Sequence, residues 1–285
     1  MSKLGLSSII TLLASFLASA PLAASSSSVY LFSVINQRTI VLTAAYWNPI
    51  LEYVCEKSGV KLRLRMGRTA VETTKRTLKG EFDFVFSNHL FHPSRTKLGY
   101  KVILKTSAPD IASTIVVLSS SSIESLKDLA GKDVAFPSRE AFVGYWVPMQ
   151  RLRSLGIDIN PKFSGNQEGA MAKLQSGAVA AAAVNDVILN NYAQREHLFF
   201  RPLWRSEAYP NIPIMVKPTV DPQVISAVRD AFINMHTQKE GRAVLKKAAS
   251  VLKLPYDLRF HQASDADYKS YFEFYKLIDL DKADQ

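Results

Sequence analysis

The 285-residue chain has a single cysteine, Cys55, so neither an internal disulfide nor a thiolate-rich zinc site can be built within it. Catalytic signatures are missing too. There is no G-x-S-x-G, no H-E-x-x-H and no Gly-rich phosphate loop, and the lone thiol sits in an apolar helical pattern, so no enzyme activity is expected. Acidic residues are in deficit, 25 against 35 Lys and Arg, for a formal net charge of +10. That balance favours an anionic partner, whether a small oxyanion, a nucleic acid or a membrane surface. Nucleic acid is disfavoured by poor aromatic interleaving and by the lack of a helix-turn-helix or RNA-binding pattern. Long apolar runs are absent after residue 20, and 47% hydrophobic with 21% charged residues is ordinary for a globular protein, which argues against disorder and against a polytopic membrane protein. The length allows one large domain or two modest ones.

What is present begins with Met1-Ser-Lys3, an uncharged stretch up to Arg38, the apolar run Leu4 to Ala20, then Pro21 and small residues to Ser28. This is the layout of a secretory signal peptide, assigned to residues 1–24 with cleavage near Ala24, and it predicts a periplasmic protein without stable membrane insertion. A retained membrane anchor is the alternative.

Beyond Ser28, short β-rich runs alternate with helical patterns, the signature of an α/β fold. Thr39 to Thr43 reads as a first strand, followed by a helix with Asn48 as N-cap, Pro49 at its first position and Gly59 as its stop. Lys61 to Arg65 alternates as a half-exposed strand, Thr69 and Glu72 form a capping box for a helix ending at Gly80, and Phe82 to Phe86 reads as a buried strand. Later strands are expected at Ser113 to Leu118, Lys132 to Phe136, Lys162 to Ser164, Ala180 to Val184 and Ile214 to Val216, with helices between them and a mostly helical end from Pro222 to Ile278. Ligands of open α/β sheets bind beyond the carboxyl ends of the strands, which selects Tyr46 and Trp47, then Ser87, Asn88 and His89, the loop Pro137 to Gly144, Gly165 to Glu168, and Asn185. Several precede helix starts, where free N–H groups and the helix dipole attract anions.

Six stretches carry a resemblance: "YWNPILEY" from Tyr46, "KGEFDF" from Lys79, "SIESLKDLAGKDVAF" from Ser122, "GYWVPMQRLRSLG" from Gly144, Gly165 to Asn185, and "DADY" from Asp265. Together they are similar to the phosphate, phosphite and phosphonate binding proteins of ABC importers, over almost all of the chain after residue 24. The resemblance implies a two-lobe type II periplasmic binding protein, each lobe a mostly parallel sheet flanked by helices, with the ligand cleft between the lobes. It implies lobe 1 over residues 29–115 and 206–285, lobe 2 over 116–205, and hinge strands at Ser113 to Leu118 and Ile212 to Val216. Where the family carries a Ser-Thr-Ser anion cluster before a Gly-Tyr pair, this sequence has Ala141, Phe142 and Val143 ahead of Gly144 and Tyr145. Ser138 and Arg139 nearby could supply a hydroxyl and a charge-assisted contact. Asn166, Gln167 and Glu168 stand where the family commonly has His and an acid.

The expected ligand-binding set is therefore Tyr46, Trp47, Ser87, Asn88, His89, Ser138, Arg139, Tyr145, Asn166, Gln167 and Asn185, with no catalytic residue, no metal site and no cofactor. His89 and His92, three apart, lack further ligands nearby and read as pocket or packing residues. The expected function is capture of a small anion, phosphonate-, phosphite- or phosphate-like or another oxyanion, for an ABC permease. The alternative is a ligand-sensing accessory that docks on a periplasmic sensor kinase through the basic face formed by Lys61, Arg63, Arg65, Arg68, Lys75, Arg76 and Lys79.

Overall fold

The computed structural model of the chain describes residues 28–278, so the expected signal peptide lies outside the described residues. Strand β1 (Val29–Val34) comes first, and its fully buried Phe32 starts the core. Helix α1 (Ile40–Ser58) follows and corrects the expected strand at Thr39 to Thr43. Thr39 is the N-cap: its side chain accepts from the Leu42 N–H at 3.4 Å, and its carbonyl accepts from the Thr43 hydroxyl at 2.9 Å. The β-branched Ile40 and Val41 that suggested a strand are exposed on the first turn. A helical stripe of Thr43, Tyr46, Trp47, Ile50, Leu51 and Val54 is buried instead. Packing along that stripe carries the helix through Pro49, which was expected at its start, at the expense of one intrahelical bond. Gly59, at φ 72°, then ends it in the left-handed conformation that glycine adopts without strain.

Strand β2 (Lys61–Leu64), helix α2 (Ala70–Leu78) and strand β3 (Phe84–Phe86) complete a parallel β2-β1-β3 unit. Thr69 caps α2, accepting from the Glu72 N–H at 3.2 Å, while the Glu72 carboxylate reaches back to the Arg68 N–H at 2.8 Å. The short α3 (Pro93–Thr96) precedes β4 (Lys101–Thr106), a strand without a sequence counterpart above. The chain then enters a second sheet through β5 (Ile111–Leu118) and continues with β6 (Asp133–Phe136), α4 (Val147–Ser154), β7 (Asn160–Phe163), α5 (Gln167–Gln175), β8 (Ala181–Asn185), α6 (Asp186–Glu196) and β9 (Phe200–Tyr209). It returns to the first sheet with β10 (Ile214–Val216), then α7 (Pro222–Asn234), α8 (Lys239–Val251), β11 (Phe260–Gln262) and α9 (Lys269–Leu277).

The first sheet has the order β11-β4-β10-β3-β1-β2 and the second β7-β6-β8-β5-β9. Each sheet is mostly parallel in strand direction, as expected, with a minority of opposed strands: β1, β2, β3 and β4 run one way against β10 and β11, and β6, β7, β8 and β9 run one way against β5. The opposed strands include those at the two crossings, where β10 returns beside β4 and β5 enters beside β9. Residues 107–110 and 210–213 connect the sheets, so β5 and β10, expected as hinge strands, are interior strands of their sheets.

Two buried clusters fill the separate lobes, one around Phe32, Ile50, Phe84 and Phe232, the other around Val116, Met171, Leu174 and Ala182. A third joins them. Phe82 and Phe91 of the first lobe, Phe142 and Trp146 of the second, and Tyr271 and Tyr275 of α9 are all buried in one continuous cluster. The ring centroid of Tyr271 lies 4.8 Å from that of Phe91 and 4.2 Å from that of Phe142, so α9 straps both lobes. The Arg95 guanidinium and the Glu140 carboxylate form an ion pair across the same seam.

Candidate functional site

A cavity of about 70 Å³ opens between the sheets. The first lobe lines it with Gln37, Arg38, Thr43, Tyr46, Trp47 and Tyr256, and the second lobe with Ile111, Asn185, Val187 and Ile188. The positions follow from local structure. Arg38 ends the loop between the carboxyl end of β1 and the Thr39 cap, and Tyr46 lies on the buried stripe of α1. Asn185 ends β8 and caps α6, its Oδ1 accepting from the Ile188 N–H at 2.7 Å. Its own backbone N–H donates to Gln167 Oε1 at 3.0 Å.

Arg38 makes no hydrogen bond and no ion pair among the described residues. Burial pulls its guanidinium below the ordinary arginine value, opposed by the fields of Glu168, Tyr46 and Tyr256. An arginine nonetheless stays charged, so the desolvation is a standing cost that an anion beside it relieves. Burial pushes the phenols of Tyr46 and Tyr256 up, so both remain protonated donors. Neither hydroxyl has a hydrogen-bond partner among the described residues. Donors without acceptors therefore converge on one space, which is the chemistry of an oxyanion site. Arg38 also lines an adjoining cavity of about 70 Å³ with Glu168, Asn191, Arg195 and Lys253, where Glu168 accepts from Arg195 at 2.8 Å.

Of the residues selected from sequence, Tyr46, Trp47 and Asn185 meet at this cavity. Tyr46 and Trp47 do so from the middle of α1, not from a loop after a strand, and the Trp47 ring packs against Phe32 and Phe86, each at 5.0 Å. The others go elsewhere. Ser87 and His89 line a separate recess of about 10 Å³ beside Ser33 and Thr74, and Asn88 donates to the Tyr271 hydroxyl at 3.3 Å. Ser138 accepts from the Glu140 N–H at 3.2 Å, and Asn166 caps α5 by accepting from the Gly169 N–H at 2.7 Å. Tyr145 is buried against Phe136 and Phe163, while Arg139 is exposed and lies over the Phe163 ring at 5.4 Å. Sequence reasoning missed Arg38, Gln37, Thr43 and Tyr256. The first two had a signal: placing the first strand on Val29–Val34 makes 35–39 the post-strand loop and Thr39 the cap.

The loop before Gly144 is packed shut. Ala141, Phe142 and Val143 are buried, and the Phe142 ring sits among Tyr209, Tyr271, Phe274 and Tyr275 at 4.2–5.5 Å. The segment Phe142–Trp146 is a π-turn, with the Trp146 N–H donating to the Ala141 carbonyl at 3.2 Å. Among the described residues no group of three His, Cys, Asp or Glu could hold a metal, and no helix is long and apolar enough to cross a membrane.

His89 carries a pH prediction. Burial, followed by the nearby Arg95 charge, lowers its pKa from 6.5 to about 3, and its Nδ1 lies 3.2 Å from the Thr74 hydroxyl. A depressed folded-state value means that the unfolded chain binds a proton first, so His89 contributes stability above pH 6.5 that is lost as pH falls towards 3. Urea titrations across that range should show one proton's worth of slope that His89→Gln removes; an unchanged slope would refute the assignment.

Comparison with known proteins agrees with this architecture. The family described as "ABC transporter, phosphonate, periplasmic substrate-binding protein" matches residues 32–268. Among solved structures, a binding protein component of an ABC phosphonate transporter from Pseudomonas aeruginosa aligns with a TM-score of 0.74 at 15% identity, over 87% of this chain and 86% of that one. PhnD1 from Prochlorococcus marinus, solved with methylphosphonate, aligns at 0.73 and 17% identity over 87% and 97% of the two chains. A Xanthomonas citri protein solved with ATP bound aligns at 0.69 and 19% identity over 88% and 96%. These likenesses show the shared two-lobe fold, and none of the three supports the sensor-kinase alternative. With the family pattern running from β1 to the turn before α9, the chain belongs to the periplasmic substrate-binding proteins of phosphonate ABC transporters.

Proposed function

We propose that the protein captures a small organic or inorganic oxyanion in the cavity between its lobes and delivers it to an ABC permease. The single observation that carries this reading is Arg38, a charged and partly buried guanidinium with no partner among the described residues, lining a space walled by both lobes. Tyr46 and Tyr256 supply hydroxyl donors from one side and Asn185 an amide from the other. Trp47 forms part of the wall. Gln167 acts on the ligand through the backbone of Asn185, and Asn166 by fixing the start of α5. Ser87, Asn88, His89, Ser138, Arg139 and Tyr145 have supporting roles, as packing or as local caps. Segments 107–110 and 210–213 serve as the hinge and therefore as the lobe boundaries. Binding shifts an open–closed equilibrium whose closed form the permease recognises. Residues 1–24 act as the export signal, and the protein performs no catalysis.

The test is a titration of the purified protein with phosphate, phosphite, methylphosphonate, sulfate and short organic acids, read by tryptophan fluorescence and thermal unfolding. One anion should give a saturable fluorescence change that Trp47→Phe diminishes. At about 100 times its Kd it should add about 2.7 kcal/mol of stability, visible as a rise of several degrees in Tm. A well-folded sample that responds to none of them overturns the proposal.

A further inference from the structure

The cavity that adjoins the cleft shares Arg38 and Leu252 with it and is likewise walled by both lobes, with Leu42 and Lys253 on the first and Glu168, Asn191 and Arg195 on the second. The Arg38 charge stands between the two spaces. It lies in the fields of Tyr46 and Tyr256, which belong to the cleft side, and of Glu168 and Arg195, which line the other. A guanidinium carries five N–H donors, and an oxyanion gripped two-pronged in the cleft takes two of them. Three are left, in a partly desolvated group where unmade donors are costly.

The uncommitted groups of the adjoining cavity are mostly donors as well. Asn191 Nδ2 is buried without a hydrogen-bond partner among the described residues. The Lys253 ammonium makes no hydrogen bond or ion pair among them. Glu168, the one carboxylate of this lining, is held by Arg195 at 2.8 Å, and Arg195 also reaches Glu196 at 2.8 Å. Carbonyls at the end of α8 are engaged too, Ser250 by the Lys253 N–H at 3.1 Å and Ala249 by the Leu254 N–H at 3.0 Å. The Gln194 amide and Asn191 Oδ1 can accept, but they carry no charge. The first turn of α1 holds no acidic residue, so the positive end of its dipole adds to the field beside Leu42. Lys253 itself sits at φ 50°, a left-handed position after the helix that glycine would occupy without strain.

From this we infer, resting on the cleft reading, that the adjoining cavity is a second anion subsite and that the ligand is a phosphonate or related oxyanion whose short substituent ends in a carboxylate. The oxyanion head lies in the cleft with the Tyr46 and Tyr256 hydroxyls. The carboxylate lies against Lys253 and Asn191, and Arg38 donates to both groups.

Isothermal titration at neutral pH with phosphonoacetate, 3-phosphonopropionate, methylphosphonate, 2-aminoethylphosphonate and phosphate tests the inference. One of the two phosphonocarboxylates should bind at least about tenfold more tightly than each of the other three. Lys253→Gly removes the ammonium and relieves the left-handed strain, so the unliganded Tm should not fall. In that variant the preference should shrink to within about threefold while the methylphosphonate affinity stays within about twofold of wild type. Binding of methylphosphonate or phosphate as tight as that of the phosphonocarboxylates would overturn the second subsite and leave the cleft reading standing. The aminophosphonate as the tightest ligand would show that Glu168 reads a cation there and would overturn the carboxylate. A Lys253→Gly protein that keeps the full preference would refute the part given to Lys253. No binding by any of the five to a folded protein would overturn the cleft reading itself.

Discussion

Replacement of Arg38 by methionine is expected to weaken oxyanion binding about 100-fold while leaving the melting temperature unchanged or raised. The two halves of this expectation come from the same fact. A charge-assisted hydrogen bond contributes about 1.5–3 kcal/mol, and a loss of about 2.7 kcal/mol is a factor of about 100 in Kd. In the unliganded protein, however, the guanidinium is desolvated by burial and bonded to no described residue, so its removal takes away a cost and no compensating contact. Methionine keeps much of the aliphatic volume. A structural arginine behaves in the opposite way, since its loss lowers stability first and affinity only in consequence. Arg38→Lys should fall between wild type and Arg38→Met, because lysine keeps the charge but not the planar two-pronged geometry that suits an oxyanion. Titration calorimetry of the three proteins, with thermal unfolding of each in the absence of ligand, provides both readouts. Unchanged affinity in Arg38→Met would remove the anion site from this cleft.

The second large effect is on stability. Phe142→Ala is expected to destabilise the fold by about 3–5 kcal/mol, the usual range for truncating a fully buried phenylalanine. At about 2–4 °C per kcal/mol for a chain of this size, Tm should fall by on the order of 10 °C. Phe142 is 1% exposed and its ring contacts both Tyr271 and Tyr275 of α9, so its loss loosens the seam between the lobes as well as the local core. Phe142→Thr puts a hydroxyl at this position, the residue type that the resemblance to the family leads one to expect there. It should lose nearly as much stability and gain no affinity for methylphosphonate, because this position faces an aromatic cluster and is not part of the cavity lining. Urea denaturation gives the first quantity and calorimetry the second. A stability change below about 1 kcal/mol would show that the seam is not packed as described.

How far the sequence was legible differs from element to element. Thr69 and Glu72 carried the start of α2 in their own side chains, and Gly59 carried the end of α1, because a cap is a local bargain between a side chain and its neighbouring amides. The strand runs at Lys61, Asp133 and Ala181 stood out by alternation or by continuous apolar content. Thr39 to Thr43 misled for an equally local reason. Its β-branched residues favour strands, and only the burial of the stripe from Thr43 to Val54 against the first sheet overrides that preference. The strands β1, β4, β9 and β11 were not seen; β11 is a three-residue strand in a stretch expected to be mostly helical, and β9 mixes exposed and half-buried residues and takes its place through its pairing with β5.

The sequence by itself determined the α/β class, the family and the apolar residues Ala141, Phe142 and Val143 before Gly144, all of which depend on residue identity and short spacing. Tertiary structure alone decided which of the many loop polar groups face a common space. Asn185 is 147 positions after Arg38 and Tyr256 a further 71. Their meeting depends on two crossings between sheets that no local pattern encodes. The same holds for Phe142, which reads as a lost anion contact in one dimension and becomes, once α9 folds back over both lobes, the centre of the packing that holds them together.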